Sequence, residues 1–432
     1  MVTSPQTLKR ELGVFGATMM GMGSILGTGV FVSIGIAAGI AGPAVILAIA
    51  LAALVAICNG LNSAQLAANH AVSGGTYEYG YRYLNRWLGF TAGWMFLLAK
   101  SASAATAALG FGGYFLNLAG IDSRDYLVPL GLAAVVALTL VVLSGLRRSN
   151  VTNIIIVSVT MFALALFVVG GLPALVSQGE QNLTPFFNPD GNPIANLLQA
   201  TALMFVAYTG YGRIATMGEE VREPRRIIPR AIISAMILTM IVYISVAVTG
   251  VGAVGAEILA GTAQTQAAPL EIAAREYNAP LIALVVAVGA ITAMLGVLLN
   301  LILGLSRVLL AMGRRRDMPA VTARINTANS TPYVAVAVIG LLIFALVLIG
   351  DVKTTWSFSA FTVLIYYSIT NLSALQLSAE ERLYPKWIAW VGLAACLFLA
   401  FWVEVQIWLV GLGMIALGLI WHALARRFSS GR

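Results

Sequence analysis

Lys100 has more chemistry to offer than its surroundings can absorb. It stands in Leu97-Leu98-Ala99-Lys100-Ser101-Ala102-Ser103, inside a long apolar run rather than a solvated loop. A cation held there is costly unless it is paired, hydrated or used, so it is a functional candidate by default. The bland alternative is a lysine whose stem lies along apolar surface while its head reaches a water-filled vestibule. A second cation, Arg213, closes a similar run, Phe205-Val206-Ala207-Tyr208-Thr209-Gly210-Tyr211-Gly212. An earlier stretch, Gly23-Ser24-Ile25-Leu26-Gly27-Thr28-Gly29, is equally rich in glycine. Glycine weakens a helix interior by about 1 kcal/mol relative to alanine. One use of that weakness is a break at mid-span. The amides it frees at the start of the second half-helix suit a carboxylate, and the carbonyls ending the first half suit an ammonium or a cation. The competing explanation is close packing of small residues between helices, which Gly23 and Gly27 also fit.

Other chemistries find little support. The two histidines, His70 and His422, lie far apart in the chain, and no second carboxylate accompanies Glu404, so neither a nucleophile with its base nor a metal site is expected. Cys58 and Cys396 both fall in apolar stretches and read as buried thiols. No cofactor is implied. A pore would show rings or repeats of polar residues. A sensor that binds an amino acid without moving it stays open as an alternative, although no signalling domain is evident.

The elements that position these residues follow from composition. Of 432 residues 59% are hydrophobic and only 10% charged, with a mean hydropathy of +0.90. A soluble domain carries about 25% charged residues, so the solvent around most of this chain is lipid. Lipid offers backbone groups no partner, which leaves helices or closed barrels, and runs of this length are helical. Twelve spans result: 13–38, 43–69, 87–117, 126–145, 152–172, 194–217, 228–253, 280–312, 333–350, 354–378, 386–403 and 405–425. The first run is too long and too glycine-rich for a cleaved signal peptide.

Charge placement tests the count. With the N-terminus in the cytoplasm, 20 of the 25 lysines and arginines fall on the cytoplasmic side and three (Arg124, Arg275, Lys353) outside, leaving Lys100 and Arg213 in the membrane. That bias is what orients a multi-pass protein, and it accounts for the net charge of +8 without a nucleic-acid partner. Both termini are therefore expected in the cytoplasm of a cell membrane. The longest external segments are 173–193 and 254–279, the second with a short helix around Pro269–Tyr277. The two glycine-broken spans are the first and the sixth. Their spacing of five is what two inverted repeats of five helices would produce, with the breaks meeting at the midplane.

The order of motifs resembles the amino acid–polyamine–organocation superfamily over essentially the whole chain. The resemblance rests on Gly23–Phe31 and on Ser73-Gly74-Gly75-Thr76-Tyr77-Glu78-Tyr79. It continues with Phe205–Gly212 running into Gly218-Glu219-Glu220-Val221-Arg222-Glu223-Pro224-Arg225-Arg226, then Gly304-Leu305-Ser306-Arg307 and Ala311-Met312-Gly313-Arg314. It implies an all-α membrane protein with a LeuT-like 5+5 inverted repeat plus two peripheral helices. The segments would be 1–12 (cytoplasmic), 13–172 (first repeat), 194–378 (second repeat), 386–425 (peripheral helices) and 426–432 (cytoplasmic tail). It further implies secondary transport of an amino acid. The substrate carboxylate would meet the amides of Thr28 and Gly29 beside Gly27, and the amine the carbonyls of Ile25, Val206 and Thr209. Ser24, Tyr208 and Gly210 would line the cavity with Ala99 and Lys100, and Phe205 or Tyr208 would act as a gate unless they merely fill the core.

The chain departs from the family pattern at several points. Gly212 stands where many relatives carry an acid. The fifth span has no lysine near Ser158, Val159 or Thr160, and the eighth offers Leu295 and Gly296 where sodium-coupled relatives use hydroxyls. Sodium coupling is therefore not expected. Lys100 stands where cation-selective relatives have a glutamate. It would disfavour cationic substrates and either meet an anionic group or carry a transported proton. Arg213 is expected to form a gate ion pair with Glu219 or Glu220. A polyamine or cationic amino acid is the rival substrate.

Overall fold

The structure is a computed structural model that describes residues 12–70, 74–121, 123–145, 150–215, 221–277, 280–326 and 331–429. It is all-helical; among the described residues the one β contact is an isolated parallel bridge between Leu12 and Val221. In chain order the helices are α1 (Val14–Ile25), α2 (Ile34–Ala41), α3 (Val45–Asn69), α4 (Thr76–Tyr79), α5 (Arg86–Leu118), α6 (Leu127–Leu143) and α7 (Asn150–Asn182). They continue with α8 (Pro193–Tyr208), α9 (Gly212–Ala215), α10 (Pro224–Val254), α11 (Ala256–Thr265), α12 (Pro269–Glu276) and α13 (Pro280–Arg314). The last four are α14 (Tyr333–Val347), α15 (Val352–Leu375), α16 (Lys386–Ala400) and α17 (Val405–Ser429).

Each stretch read as a span from hydropathy is helical over most of its length. Among the described residues eight continuous helical stretches are long and apolar enough to cross a bilayer, and α1, α14 and α16 are shorter apolar helices. One of the eight, Gly29–Asn69, includes the turn at Gly42, whose φ of 63° breaks the helix. Two connections differ from expectation. Helix α7 runs through Pro173 to Asn182, so most of the first half of the expected 173–193 loop is helical. The 254–279 segment holds two helices, α11 and α12, where only one was foreseen.

Burial separates a centre from a periphery. The most apolar windows of α5 and α15 are 89% and 78% buried, against 28% for α6 and 22% for α17, so α5 and α15 form the inner pair and the others face outward. Helix α5 packs on α15 and α13, while α10 packs on α3 and α7. The inner pair is stitched by hydroxyls: Ser103 with Ser359 at 2.7 Å and Thr106 with Thr355 at 2.8 Å. A buried amide chain joins α3 to α15, with Asn62 donating to Asn371 at 2.7 Å and Asn371 to Asn59 at 2.8 Å. Satisfied polar pairs of this kind fix helix register in a lipid environment, where apolar contacts alone discriminate weakly.

At one end of the bundle a buried carboxylate gathers three elements. Asp317, just beyond α13, accepts from the Tyr77 and Tyr81 hydroxyls, each at 2.6 Å. His422 Nδ1 of α17 lies 3.3 Å from its other oxygen, and the Trp421 indole donates to its backbone carbonyl at 3.0 Å. Burial, reinforced by Asp317, pushes the Tyr77 phenol pKa well up, so it remains a donor. Beside it Arg315 pairs with Glu78 and lies over the Tyr81 ring. The opposite end is capped by α11 and α12, where the Tyr114 hydroxyl donates to the Phe31 carbonyl at 2.7 Å and accepts from the Leu270 amide at 3.3 Å.

Candidate functional site

The glycine-rich runs are broken as their composition suggests. Helix α1 stops at Ile25, and Leu26 is extended (φ −76°, ψ 105°) before the chain re-enters a π-helical turn at Gly29–Ser33 that leads into α2. Helix α8 stops at Tyr208 and continues as a 3-10 turn, Thr209–Tyr211, into α9. The two breaks touch. A Cβ on Gly210 would come within 2.3 Å of the Ser24 carbonyl oxygen and 2.6 Å of the Ile25 nitrogen, so only glycine admits this approach. Gly29 is equally confined, with Ala207 Cβ at 2.7 Å and the Tyr243 hydroxyl at 2.8 Å from its notional Cβ. Tyr243 of α10 holds both breaks, its hydroxyl lying 2.9 Å from the Ile25 carbonyl and 3.1 Å from that of Ala207. It has one proton to share between them.

Between the breaks lies a small chamber lined by Ser24, Ile25, Thr28, Gly29, Lys100, Val206, Thr209 and Gly210. It shares Ser24, Lys100, Thr209 and Gly210 as wall residues with a vestibule that runs past Arg213 to Gly74 and Arg307. Away from the vestibule Trp356 closes the chamber, its indole donating to the Leu203 carbonyl at 3.0 Å. The Phe31–Tyr114 contact and α12 cover that side further out.

The chamber has two unequal electrical sides. At the start of the second half-helix Val30 and Phe31 both donate to the Gly27 carbonyl at 3.1 Å, and Thr28 and Gly29 line the chamber. The Thr28 hydroxyl, on a residue 4% exposed, has no partner. It stands at the positive end of a helix. Lys100, 8% exposed, donates to Thr209 Oγ1 at 2.7 Å, and that hydroxyl donates on to the Val206 carbonyl at 2.7 Å. The ammonium thus caps the carbonyl end of α8. Among the described residues no carboxylate lies within ion-pair distance of it.

Four of the residues expected at the site stand back from the chamber in this state. Gly27 packs on Val297, and Ala99 is fully buried. Phe205 packs edge-on against Tyr367 at 5.7 Å, and the Tyr208 ring leans on Tyr243 at 5.1 Å. Arg213 lines the vestibule; its expected partners Glu219 and Glu220 lie outside the described residues. Sequence reading missed Ser103, Ala207, Val297, Leu301 and Trp356 in the chamber wall. Ser103 was within reach, one helical turn after Lys100 on the same face. Nothing in an apolar run marks Val297 or Leu301 as facing a cavity rather than a neighbour.

Helices broken side by side around a small polar chamber suit the binding of a small solute within a membrane bundle. The solved structure of MhsT in complex with L-phenylalanine shares the fold, with a TM-score of 0.64 at 15% identity over 92% of this chain and all of that one. An uncharacterized transporter of Mycobacterium tuberculosis (strain H37Rv) is 38% identical over 98% of this chain and 92% of its own length. Two Bacillus subtilis proteins, the branched-chain amino acid permease BcaP and the methylthioribose transporter, are each 29% identical over 76% of this chain and 72% of theirs. The amino acid permease family profile matches residues 16–426, and the chain belongs to that family, as a multi-pass membrane transporter with a LeuT-like fold.

Proposed function

We propose that this chain is a secondary transporter that moves a neutral or acidic amino acid across the cell membrane by alternating access, as a permease or exchanger, without sodium. The observation that carries the reading is Lys100, buried in the chamber against Thr209 with no carboxylate beside it among the described residues. A positive charge there repels polyamines and cationic side chains and leaves the Thr28 and Gly29 amides to receive a carboxylate. The branched-chain substrate named for BcaP agrees with a chamber walled by Val206, Val297 and Leu301.

In this reading the chain crosses twelve times in two inverted sets of five, 13–172 and 194–378, with 386–425 peripheral and both termini in the cytoplasm. The vestibule then opens to the cytoplasm, and α11, α12 and Trp356 close the outer side. Ser24, Thr28, Gly29 and Gly210 hold the solute, Gly27 and Ala99 shape the wall, and Phe205 and Tyr208 move when the gate does. Arg213 with Glu219 or Glu220 closes the inner gate. Leu295 and Gly296 offer a sodium ion no side-chain oxygen, and the Ile25 carbonyl already receives Tyr243. Lys100 is the candidate proton carrier.

Uptake into proteoliposomes with sodium replaced by choline tests the reading. Unchanged uptake of a neutral amino acid supports it. Transport that needs sodium, or that takes only polyamines and cationic amino acids, overturns it.

A further inference from the structure

We infer that Lys100 serves as the chamber's own ammonium, so that the site recognises its solute through a carboxylate and accepts 2-oxo and 2-hydroxy acids alongside amino acids. This rests on the reading of the chamber as the substrate site.

An α-amino acid needs two recognitions, and the chamber is provisioned for one. On the anion side stand the helix start at Thr28 and Gly29, the unpartnered Thr28 hydroxyl and Lys100. A helix start alone would not make a site; here it is joined by an orphaned, buried hydroxyl and a buried cation facing one cavity. On the ammonium side the expected acceptors are already engaged. The Val206 carbonyl receives both the Thr209 amide and the Thr209 hydroxyl. The Thr209 carbonyl receives the Gly212 amide and, at 3.3 Å, the Tyr367 hydroxyl. The Ile25 carbonyl receives Tyr243. A carbonyl has two lone pairs, so of these three only Ile25 keeps one free. The Thr209 hydroxyl accepts from Lys100 and has spent its proton on Val206.

The negative end of α8 is thus occupied by a side-chain ammonium where a substrate ammonium would otherwise dock. Charge balance points the same way. A zwitterion leaves the net charge of Lys100 uncancelled, whereas a monocarboxylate neutralises it. A ligand ammonium must also give up its water for acceptors that are largely taken, which is unfavourable. Removing the amine from the ligand therefore costs little, and removing the carboxylate costs the contacts that hold it.

The test uses three solutes of one shape: leucine, 4-methyl-2-oxopentanoate and 3-methylbutan-1-amine. Each is titrated against the purified full-length protein while thermal stability is followed, since a ligand that binds only the folded state raises it. The oxo acid is expected to reach its half-maximal shift at or below the leucine concentration, and the amine to give no shift. Leucine stabilising while the oxo acid is about tenfold weaker or silent would overturn the inference and leave the proposed transport standing. Silence from all three would overturn the reading of the chamber as well. Lys100→Met supplies a second arm. It should weaken the oxo acid about tenfold more than leucine, because a charge-assisted hydrogen bond is lost for both while the freed Thr209 hydroxyl becomes an acceptor for the leucine ammonium. Equal weakening of the two solutes would overturn the claim that Lys100 takes the place of the ligand's ammonium.

Discussion

Two buried charges divide this molecule. Asp317, 5% exposed, is surrounded by groups that answer it: two tyrosine hydroxyls on one oxygen and His422 beside the other. Lys100, 8% exposed, has a single hydroxyl and an open chamber. The first takes its hydrogen bonds from within the protein, tying the α4 segment and Trp421 of α17 to the end of α13. The second keeps capacity in reserve, which is what a site for a transient partner requires. Burial alone does not separate a structural charge from a functional one; what the charge faces, packed protein or an open chamber, does.

The largest expected effect falls on Lys100. Lys100→Met should lower uptake about a hundredfold, the order of a lost charge-assisted contact plus its electrostatic field, while the melting temperature holds or rises because an uncompensated buried charge has been removed. A marked fall in melting temperature would place Lys100 with Asp317. Asp317→Asn should do the reverse. Breaking a buried, hydrogen-bonded charge costs about 3 kcal/mol or more, read as a clear drop in melting temperature with KM nearly unchanged. Gly210→Ala should come next in its effect on transport. Its Cβ would meet backbone on Ser24 and Ile25 that has little freedom to yield. Overpacking of this kind costs about 1–3 kcal/mol, seen as uptake reduced about tenfold or more.

Tyr243→Phe removes the hydroxyl shared by the Ile25 and Ala207 carbonyls, a contribution of about 1 kcal/mol. KM should rise a few-fold, with the fold intact by circular dichroism. The smallest effect is a pH dependence at Glu271 on α12, a residue 1% exposed that pairs with Arg275 at 2.7 Å. Burial raises its carboxyl pKa above the ordinary 4.5, and Arg275 only partly offsets this. The unfolded chain therefore loses its proton first as pH rises, and folded stability declines between pH 4.5 and the raised pKa. Glu271→Gln should flatten that part of a stability-against-pH curve. A curve that keeps its slope would assign the dependence elsewhere.

How much of this was legible in the sequence depends on what kind of information each feature carries. Helices in lipid follow from hydropathy, and both breaks follow from glycine clusters, because a backbone that leaves the helix must use residues with little propensity for it. Lys100 stood out as an ionisable residue among apolar neighbours. Its tie to Thr209 did not, because the two are 109 positions apart and only the fold brings them together. Val297 and Leu301 were unreadable for a different reason: an apolar residue facing a chamber and one facing a helix look alike in sequence. Phe205 and Tyr208 illustrate the converse, aromatic residues beside a break whose rings in this state turn into the core. The extension of α7 through Pro173 was hidden by the usual meaning of proline as a stop. The Asp317 cluster was hidden although Tyr77 lies in a motif, since it draws one residue or two from each of three distant segments.

The account stands or falls on where a solute's carboxylate rests. An experimental structure determined with the acid that stabilises the protein most would show it directly. The account predicts density in the chamber, with one carboxylate oxygen within hydrogen-bond distance of the Thr28 and Gly29 amides and Lys100 Nζ turned toward the other. Density for the carboxylate elsewhere in the bundle, or an ammonium group seated on Thr209 with Lys100 displaced, would contradict it.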